Sequence, residues 1–292
     1  MSSETKVPSP ETLERYRSSF QCFVNDIHVV AEAEREKPSY KGRDYAQAQT
    51  FRRMTLALEN LAAGEPVIPR DRYGTPCGSS TINRFWIERP PLSGKDTDVA
   101  ICILWLLMFS RKSLDIVIAN NSTWTAKSPM VALRNIVELN EWIRNVGSMK
   151  VDGEGARNNA TQSRCKPTWQ PVHIWNLLYD RPDVVVINGL ANMKPGDEQF
   201  AEHLMRAADL VGDNGIAIIT TTAGYKGTWQ ERWRNGMLGD GGNGGRFAKC
   251  IPEPMKPMNW LPKQVVEQAK LRISDAEYRR LWMGEWVEKE EE

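Results

Sequence analysis

One stretch of the sequence has the residue types and spacing of a phosphate-binding loop. Residues 85–100 read FWIERPPLSGKDTDVA, which predicts a strand, a tight turn at Gly94-Lys95 and then a helix. Glycine lets backbone N–H groups approach an anion, and the helix N-terminus adds positive potential. Lys95 and its neighbour Ser93 are therefore candidates to bind the phosphates of a nucleoside triphosphate.

The stretch departs from the usual motif G-x-x-x-x-G-K-[ST] in two places. Arg89 stands at the first glycine position, and Asp96 stands where a hydroxyl normally meets Mg²⁺, with Thr97 one residue later. A carboxylate at that position repels phosphates unless a cation lies between them. An ordinary strand-to-helix turn therefore remains an alternative interpretation.

Short apolar strands alternate with helices over most of the chain. The predicted strands cover residues 82–88, 114–119, 183–187 and 215–222, and the predicted helices cover residues 98–109, 128–146, 199–210 and 229–237. Strands that are apolar on both faces and separated by helices are typical of a mainly parallel sheet with helices on both faces. The predicted fold class is α/β.

The chain divides into three parts. Residues 11–63 have apolar positions at helical spacings with a break at Lys37-Pro38, so we expect residues 1–80 to form a helical N-terminal arm and a turn-rich loop. Residues 81–288 form the α/β domain, in which residues 150–168 are polar and expected to be irregular. Residues 289–292 are an acidic tail, which we expect to be solvated.

Composition excludes several classes of protein. The chain of 292 residues has 38 Lys and Arg against 37 Asp and Glu, so any contact with DNA must come from a local basic patch. The longest apolar run, residues 99–109, is too short to span a membrane, and the N-terminus does not resemble a signal peptide. We expect neither secretion nor membrane insertion.

Five stretches in order resemble the ATPase domain of phage terminase large subunits, the motors that package viral DNA. They are RPPLSGKDTDVA from Arg89, LDIVIANNSTWTAKSPMVA at 114–132, RPDVVVING at 181–189, IITTTAGYKGTW at 218–229 and the segment 260–286. The resemblance implies a P-loop NTPase-like fold, ATP and Mg²⁺ as cofactors, and work in the host cytoplasm. It also implies double-stranded DNA, a portal protein and a small terminase subunit as partners, and a homo-oligomeric ring.

The resemblance also implies roles for particular residues. Lys95 would grip the triphosphate, with Arg89, Ser93 and Gly94 beside it. Asp96 or Thr97 would meet Mg²⁺, and Asn188 would support the metal. Thr221 and Thr222 would sense the γ-phosphate and couple its loss to movement of a DNA-gripping subdomain.

The second nucleotide motif departs from this family. Terminase motors have Asp-Glu where this chain has Asn188 and Gly189; the Asp holds Mg²⁺ and the Glu positions the attacking water. Glycine can do no acid–base work, although Asp197 and Glu198 could reach back. The first hypothesis is an ATPase that drives DNA into a procapsid, with weakened hydrolysis. The alternative is a hydrolysis-deficient scaffold that binds DNA, the portal or a motor partner.

Two further expectations concern a nuclease and a DNA surface. The family generally carries a nuclease domain after the ATPase, and we expect no room for one in this chain. Lys226, Arg232 and Arg234 lie near Trp229 and Trp233 and before the glycine-rich residues 239–245, a combination that predicts a DNA-tracking surface. An unrelated P-loop enzyme such as a nucleotide kinase is disfavoured, because the loop motif is incomplete and an Arg-rich lid is lacking.

Overall fold

An eight-stranded sheet forms the centre of the computed structural model, which describes residues 7–29, 45–73, 75–76, 82–120, 122–169, 181–210, 212–239, 247–253, 255, 257 and 261–289. The strands are β1 (Arg84–Glu88), β2 (Asp115–Ala119), β3 (Met149–Val151), β4 (Ala156–Asn158), β5 (Arg164–Thr168), β6 (Val184–Ile187), β7 (Ile216–Thr221) and β8 (Phe247–Cys250). Their order across the sheet is β3-β4-β5-β2-β6-β7-β1-β8.

Most of this sheet is parallel. Every neighbouring pair from β5 through β2, β6, β7 and β1 to β8 is parallel, and only β4 pairs antiparallel, with β3 and β5. The carboxyl ends of the parallel strands therefore lie along one edge of the sheet. The predicted α/β class with a mainly parallel sheet is confirmed.

Helices cover both faces of the sheet. They are α1 (Pro10–Ser18), α2 (Phe20–Asp26), α3 (Tyr45–Ala63), α4 (Lys95–Phe109), α5 (Thr123–Leu139), α6 (Trp142–Gly147), α7 (Glu198–Leu210), α8 (Trp229–Leu238), α9 (Lys263–Arg272) and α10 (Asp275–Trp282). Within the described part of the chain, no helix combines the length and apolar character that a membrane crossing requires.

Alternate residues of the central strands point into two separate cores. In β1, Phe85 and Ile87 join the core that holds α1 to α5, whereas Trp86 joins the core that holds α7 and α8. The same alternation holds in β7, where Ile218 and Ile219 point to opposite faces. Continuous apolar strands are expected when both faces of a parallel sheet are covered.

The helix after β1 lies almost entirely inside the protein. All its residues from Asp98 to Phe109 are buried, which explains why its apolar residues occur all round the helix and not on one stripe. The N-terminal arm packs directly on it: the ring of Phe20 lies 5.4 Å from Trp105 and 5.6 Å from Phe51 of α3. The arm therefore shares the core of the α/β domain and fixes the helix that follows the phosphate-binding loop.

The prediction of an irregular segment at 150–168 was wrong. These residues complete β3 and form β4 and β5, which extend the sheet beyond β2. These strands were not recognised in the sequence because they contain many polar residues. Strands at this end of the sheet have one face open to solvent, as the exposed Arg157 between the buried Ala156 and Asn158 illustrates. The strand β8, at the other edge, was also not predicted.

Candidate nucleotide-binding site

The predicted site residues meet at the carboxyl edge of the parallel strands. The loop 89–94 follows β1, Asn188 follows β6, and Thr221 ends β7. Backbone hydrogen bonds join these strand ends, since the Arg89 N–H donates to the Thr221 carbonyl at 3.1 Å and the Asn188 N–H to the Ala119 carbonyl at 3.0 Å. Ligands of open α/β sheets bind at this edge.

Lys95 folds back into the loop that precedes it. Its Nζ donates to the carbonyl oxygens of Arg89 at 2.9 Å and Pro90 at 2.7 Å, and it lies 3.5 Å from the Ser93 hydroxyl. Gly94, with φ of 74°, takes the left-handed conformation that lets the loop turn into α4. Burial lowers the pKa of Lys95 to about 7, helped by the Arg89 guanidinium and opposed by nearby carboxylates.

Arg89 is fully buried behind the loop. Its Nη2 pairs with Asp98 in the first turn of α4, and Asp98 also accepts a hydrogen bond of 2.8 Å from Gln47. Among the described residues, the Nε and Nη1 atoms of Arg89 have no hydrogen-bond partner. Arg89 therefore joins the start of the loop to the first turn of α4 through a fully buried ion pair.

A hydrogen-bond chain joins the loop to the ends of β6 and β7. The Ser128 hydroxyl of α5 donates to Asp96 at 2.8 Å, and the Asn188 amide nitrogen donates to Ser128 at 3.2 Å and to the Thr125 carbonyl at 2.7 Å. The Asn188 amide oxygen accepts from Thr220. Sequence analysis missed Ser128 and Thr220, since a hydroxyl in a helix or strand gives no signal of its own.

The metal-binding prediction rests on three of these residues. Asp96 is half-buried and has one carboxylate oxygen on Ser128, Thr97 lies in the same first turn of α4, and Asn188 has both ends of its amide bonded to protein groups. The described residues contain no group of three or more His, Cys, Asp or Glu side chains able to hold a metal ion. A cation here would depend on Asp96 and on oxygens of a bound phosphate.

Gly189 is held where a larger residue does not fit. Its φ is 69°, and a Cβ added to it would lie 2.7 Å from Cγ2 of Thr125. Its N–H donates to the Thr220 hydroxyl at 3.1 Å. A side chain at this position would therefore strain the backbone and press on the Thr125 methyl group.

Thr221 and Thr222 differ in their surroundings. The Thr221 hydroxyl accepts from the Ala191 N–H at 3.0 Å and donates to the Thr222 carbonyl at 2.8 Å, so it joins β7 to the turn after β6. The Thr222 hydroxyl is buried and has no partner among the described residues. Of the two threonines, it is Thr221 whose hydroxyl joins neighbouring elements within the described residues.

Asp197 and Glu198 do not reach back to the end of β6. Asp197 accepts from the Lys194 N–H at 2.6 Å, and Glu198 pairs with Arg232 at 3.2 Å. The hydrogen bond of Asp197 and the ion pair of Glu198 thus lie within the turn before α7 and between α7 and α8.

The buried carboxylate of Glu88, at the end of β1, was missed by sequence analysis. It accepts from the indole nitrogens of Trp86 at 2.9 Å and Trp286 at 3.1 Å, and it pairs with Arg234 at 2.7 Å. A charged residue ending an apolar strand was a signal, but its partners lie far away in the sequence. Arg234 is thus held by a buried carboxylate and is not a free basic group on the surface.

Of the other residues of the predicted DNA surface, some are exposed and some are buried. Lys226 is exposed, and Arg232 is exposed and paired with Glu198. Trp229 is buried in the second core and packs edge-on against Trp233 at 5.4 Å. Gly239 is described, whereas residues 240–245 of the glycine-rich segment and the last residues of the acidic tail, 290–292, lie outside the described part of the chain.

The fold of this chain has the architecture of phage large terminase ATPase domains. The HK97 bacteriophage large terminase matches with a TM-score of 0.63 and 12% identity over 93% of this chain and 55% of that one. The ATPase domain of the Thermus phage P74-26 large terminase matches with a TM-score of 0.50 and 16% identity over 75% of this chain and 99% of that domain.

A third match carries a nucleotide. The large terminase of a thermophilic bacteriophage, in complex with ATP-γ-S, matches with a TM-score of 0.53 and 13% identity over 84% of this chain and 53% of that one. This chain thus spans about half the length of that terminase and of the HK97 terminase. No family model and no curated protein sequence matches it. The resemblance inferred from the motifs is confirmed at the level of the fold.

Proposed function

We propose that this chain is a terminase-like protein of viral DNA packaging that binds ATP at the loop between β1 and α4. The observation that carries the proposal is the position of Lys95, whose ammonium lies within the loop at the carboxyl edge of the sheet. The terminase fold supports ATP as the ligand, because a structure with this fold is a complex with ATP-γ-S.

Binding requires Lys95 to exchange its two carbonyl partners for phosphate oxygens. The N-terminus of α4 adds its dipole, whereas the charge of the buried Arg89 is balanced by its partner Asp98. Mg²⁺ would neutralise phosphate charge, and Asp96 is the carboxylate that would face it. Without a cation, Asp96 opposes binding, so we expect nucleotide affinity to depend on Mg²⁺.

The residues at the ends of β6 and β7 favour ATP binding more than ATP hydrolysis. Asn188 holds neutral partners, Gly189 has no side chain, and both Asp197 and Glu198 are engaged elsewhere. An attacking water therefore lacks the carboxylate that positions it in such motors. The geometry favours a protein that binds ATP and hydrolyses it slowly or not at all, and that serves packaging by docking DNA, the portal protein or a motor partner.

An active motor remains a second candidate, because the loop after β7 contacts the C-terminal segment. The Arg280 guanidinium donates to the Ala223 carbonyl at 3.0 Å, and Tyr225 pairs with Val287 in a β-bridge. A motor needs such a connection between its phosphate-sensing edge and a moving part. The candidate requires a catalytic carboxylate from another copy in a ring or from a partner.

Replacing Lys95 tests the proposal. We expect Lys95→Ala to weaken binding of Mg²⁺-ATP at least tenfold by calorimetry, because phosphate charge loses its main counter-charge. Lys150→Ala, at the exposed far edge of the sheet, is the matched control and should bind like the wild type. Equal affinity of Lys95→Ala and wild type would refute the site, and rapid ATP turnover that Lys95→Ala abolishes would favour the motor.

A further inference from the structure

The outer side of α5 combines an exposed aromatic ring with basic residues. Four residues at spacings of three and four share this side of the helix and are called the α5 face: Trp124, Lys127, Val131 and Arg134. Trp124 is 83% exposed and Val131 is 50% exposed. The opposite side of the helix, which includes Leu133, is buried in the core that holds α1 to α5. The α5 face is therefore the side of this helix that can meet a partner.

The α5 face is cationic over the first three turns of the helix. Residues 116–137 contain no Asp or Glu, and Glu138 stands only in the last turn. Arg134 is exposed, and the Lys127 ammonium lies 4.8 Å from the ring of Trp169, directly after β5, so a second indole borders the face. A surface with this charge attracts anions, and the phosphates of a nucleic acid supply them at regular intervals.

The exposed indole decides which form of nucleic acid fits. A duplex keeps its base faces stacked inside and presents phosphates and base edges, so it offers no free base face to Trp124. A single strand has free base faces, and proteins that bind one combine cations along its backbone with aromatic rings on which bases stack. From Trp124 to Arg134 the α5 face extends about 15 Å along the helix axis, which is long enough to contact a few nucleotides.

We propose that the α5 face binds single-stranded DNA, with a base stacked on Trp124 and backbone phosphates paired with Lys127 and Arg134. The choice of DNA over RNA rests on the proposed role in DNA packaging. The surface is distinct from the one predicted near α8, because α5 packs in one core and α8 in the core on the other face of the sheet.

Fluorescence anisotropy of labelled oligothymidylate at several salt concentrations tests the proposal. We expect Trp124→Ala to weaken binding about fivefold or more and to leave its salt dependence unchanged, because the lost contact is uncharged. Trp124→Phe keeps an aromatic face and should keep most of the affinity. Lys127→Ala and Arg134→Ala should each reduce the slope of log affinity against log salt by about 0.7, the value for one phosphate of a single strand.

Exposed residues elsewhere provide matched controls. Tyr73→Ala removes another exposed aromatic ring, and Lys150→Ala removes an exposed cation at the far edge of the sheet. Both should bind oligothymidylate like the wild type. Lys95→Ala should also bind it like the wild type, because the proposed contact does not involve the ATP site. If oligothymidylate binds as expected and Mg²⁺-ATP does not bind, the proposed function fails and this inference stands.

Three results would overturn the inference. The first is a wild type that binds no oligothymidylate, or that binds it no better than Trp124→Ala does. The second is an equal loss of affinity for oligothymidylate and for a duplex in Trp124→Ala, since the ring would then not read free base faces. The third is a change in self-association of Trp124→Ala in sedimentation with oligothymidylate affinity unchanged, which would make the α5 face a protein interface.

Discussion

At the scale of single residues, burial of Lys95 changes its pKa enough to make the stability of the protein depend on pH. Burial lowers the pKa of Lys95 from its ordinary value of 10.5 to about 7. Between these values the unfolded chain binds more protons than the folded chain, so Lys95 lowers stability as pH falls through this window. We expect the free energy of unfolding of the wild type, relative to Lys95→Met, to rise from pH 7 to 10, with a slope approaching about 1.4 kcal/mol per pH unit.

Urea unfolding of both proteins at several pH values provides the measurement. Taking the difference between them cancels the other groups that titrate in alkaline solution. A difference that stays flat across this range would mean that Lys95 keeps its ordinary pKa in the folded protein. The position of Lys95 between a strand and a helix was predictable, since an apolar run precedes Gly94-Lys95 and a helical pattern follows it. The hydrogen bonds from Lys95 to the Arg89 and Pro90 carbonyls could not be predicted, because they depend on the conformation of the loop.

At the scale of elements, Asn188 joins β6 to α5 and β7. Asn188→Asp preserves the shape but removes both amide donors and brings negative charge against the Thr125 carbonyl. We expect a loss of about 1–3 kcal/mol in the free energy of unfolding without ligand. Mg²⁺-ATP should recover part of the loss, because the new carboxylate gains a cation. Asn235→Ala, on the exposed side of α8, should change stability by less than about 0.5 kcal/mol.

Chemical denaturation with and without Mg²⁺-ATP measures both effects. Equal stability of Asn188→Asp and the wild type would show that the hydrogen bonds linking Asp96 to Thr220 do not stabilise the packing of β6 against α5 and β7.

The elements themselves were largely predictable, because β1, β2, β6 and β7 are continuous apolar runs. The edge strands β3 to β5 were not, since polar sequence is compatible both with a loop and with a strand that is half in water.

At the scale of the whole molecule, the basic residues near α8 fall into two kinds. Lys226 and Arg232 are exposed, whereas Arg234 pairs with the buried Glu88. We expect Arg232→Ala and Lys226→Ala each to reduce the salt dependence of double-stranded DNA binding by about one unit and to leave stability unchanged. Arg234→Ala should instead cost about 3 kcal/mol of unfolding free energy, because Glu88 loses its counter-charge.

Fluorescence anisotropy with a labelled duplex at several salt concentrations gives the first quantity, and urea unfolding gives the second. If Arg232→Ala and Lys226→Ala both bind DNA with the affinity of the wild type, these residues do not form a DNA-binding surface.

The sequence alone could not distinguish the exposed basic residues from the one paired with a buried carboxylate. Glu88 and Trp286 stand 198 positions apart, and only the folded chain brings them together with Arg234.

The cramped position of Gly189 limits which side chains the turn after β6 can accept. A glutamate at this position would take an unfavourable φ and overlap Thr125, so we expect Gly189→Glu to destabilise the fold. A smaller residue at position 125 would remove the overlap but would leave the strain of the positive φ. The two substitutions are therefore expected to be non-additive, with Gly189→Glu less harmful, but still harmful, once residue 125 is smaller.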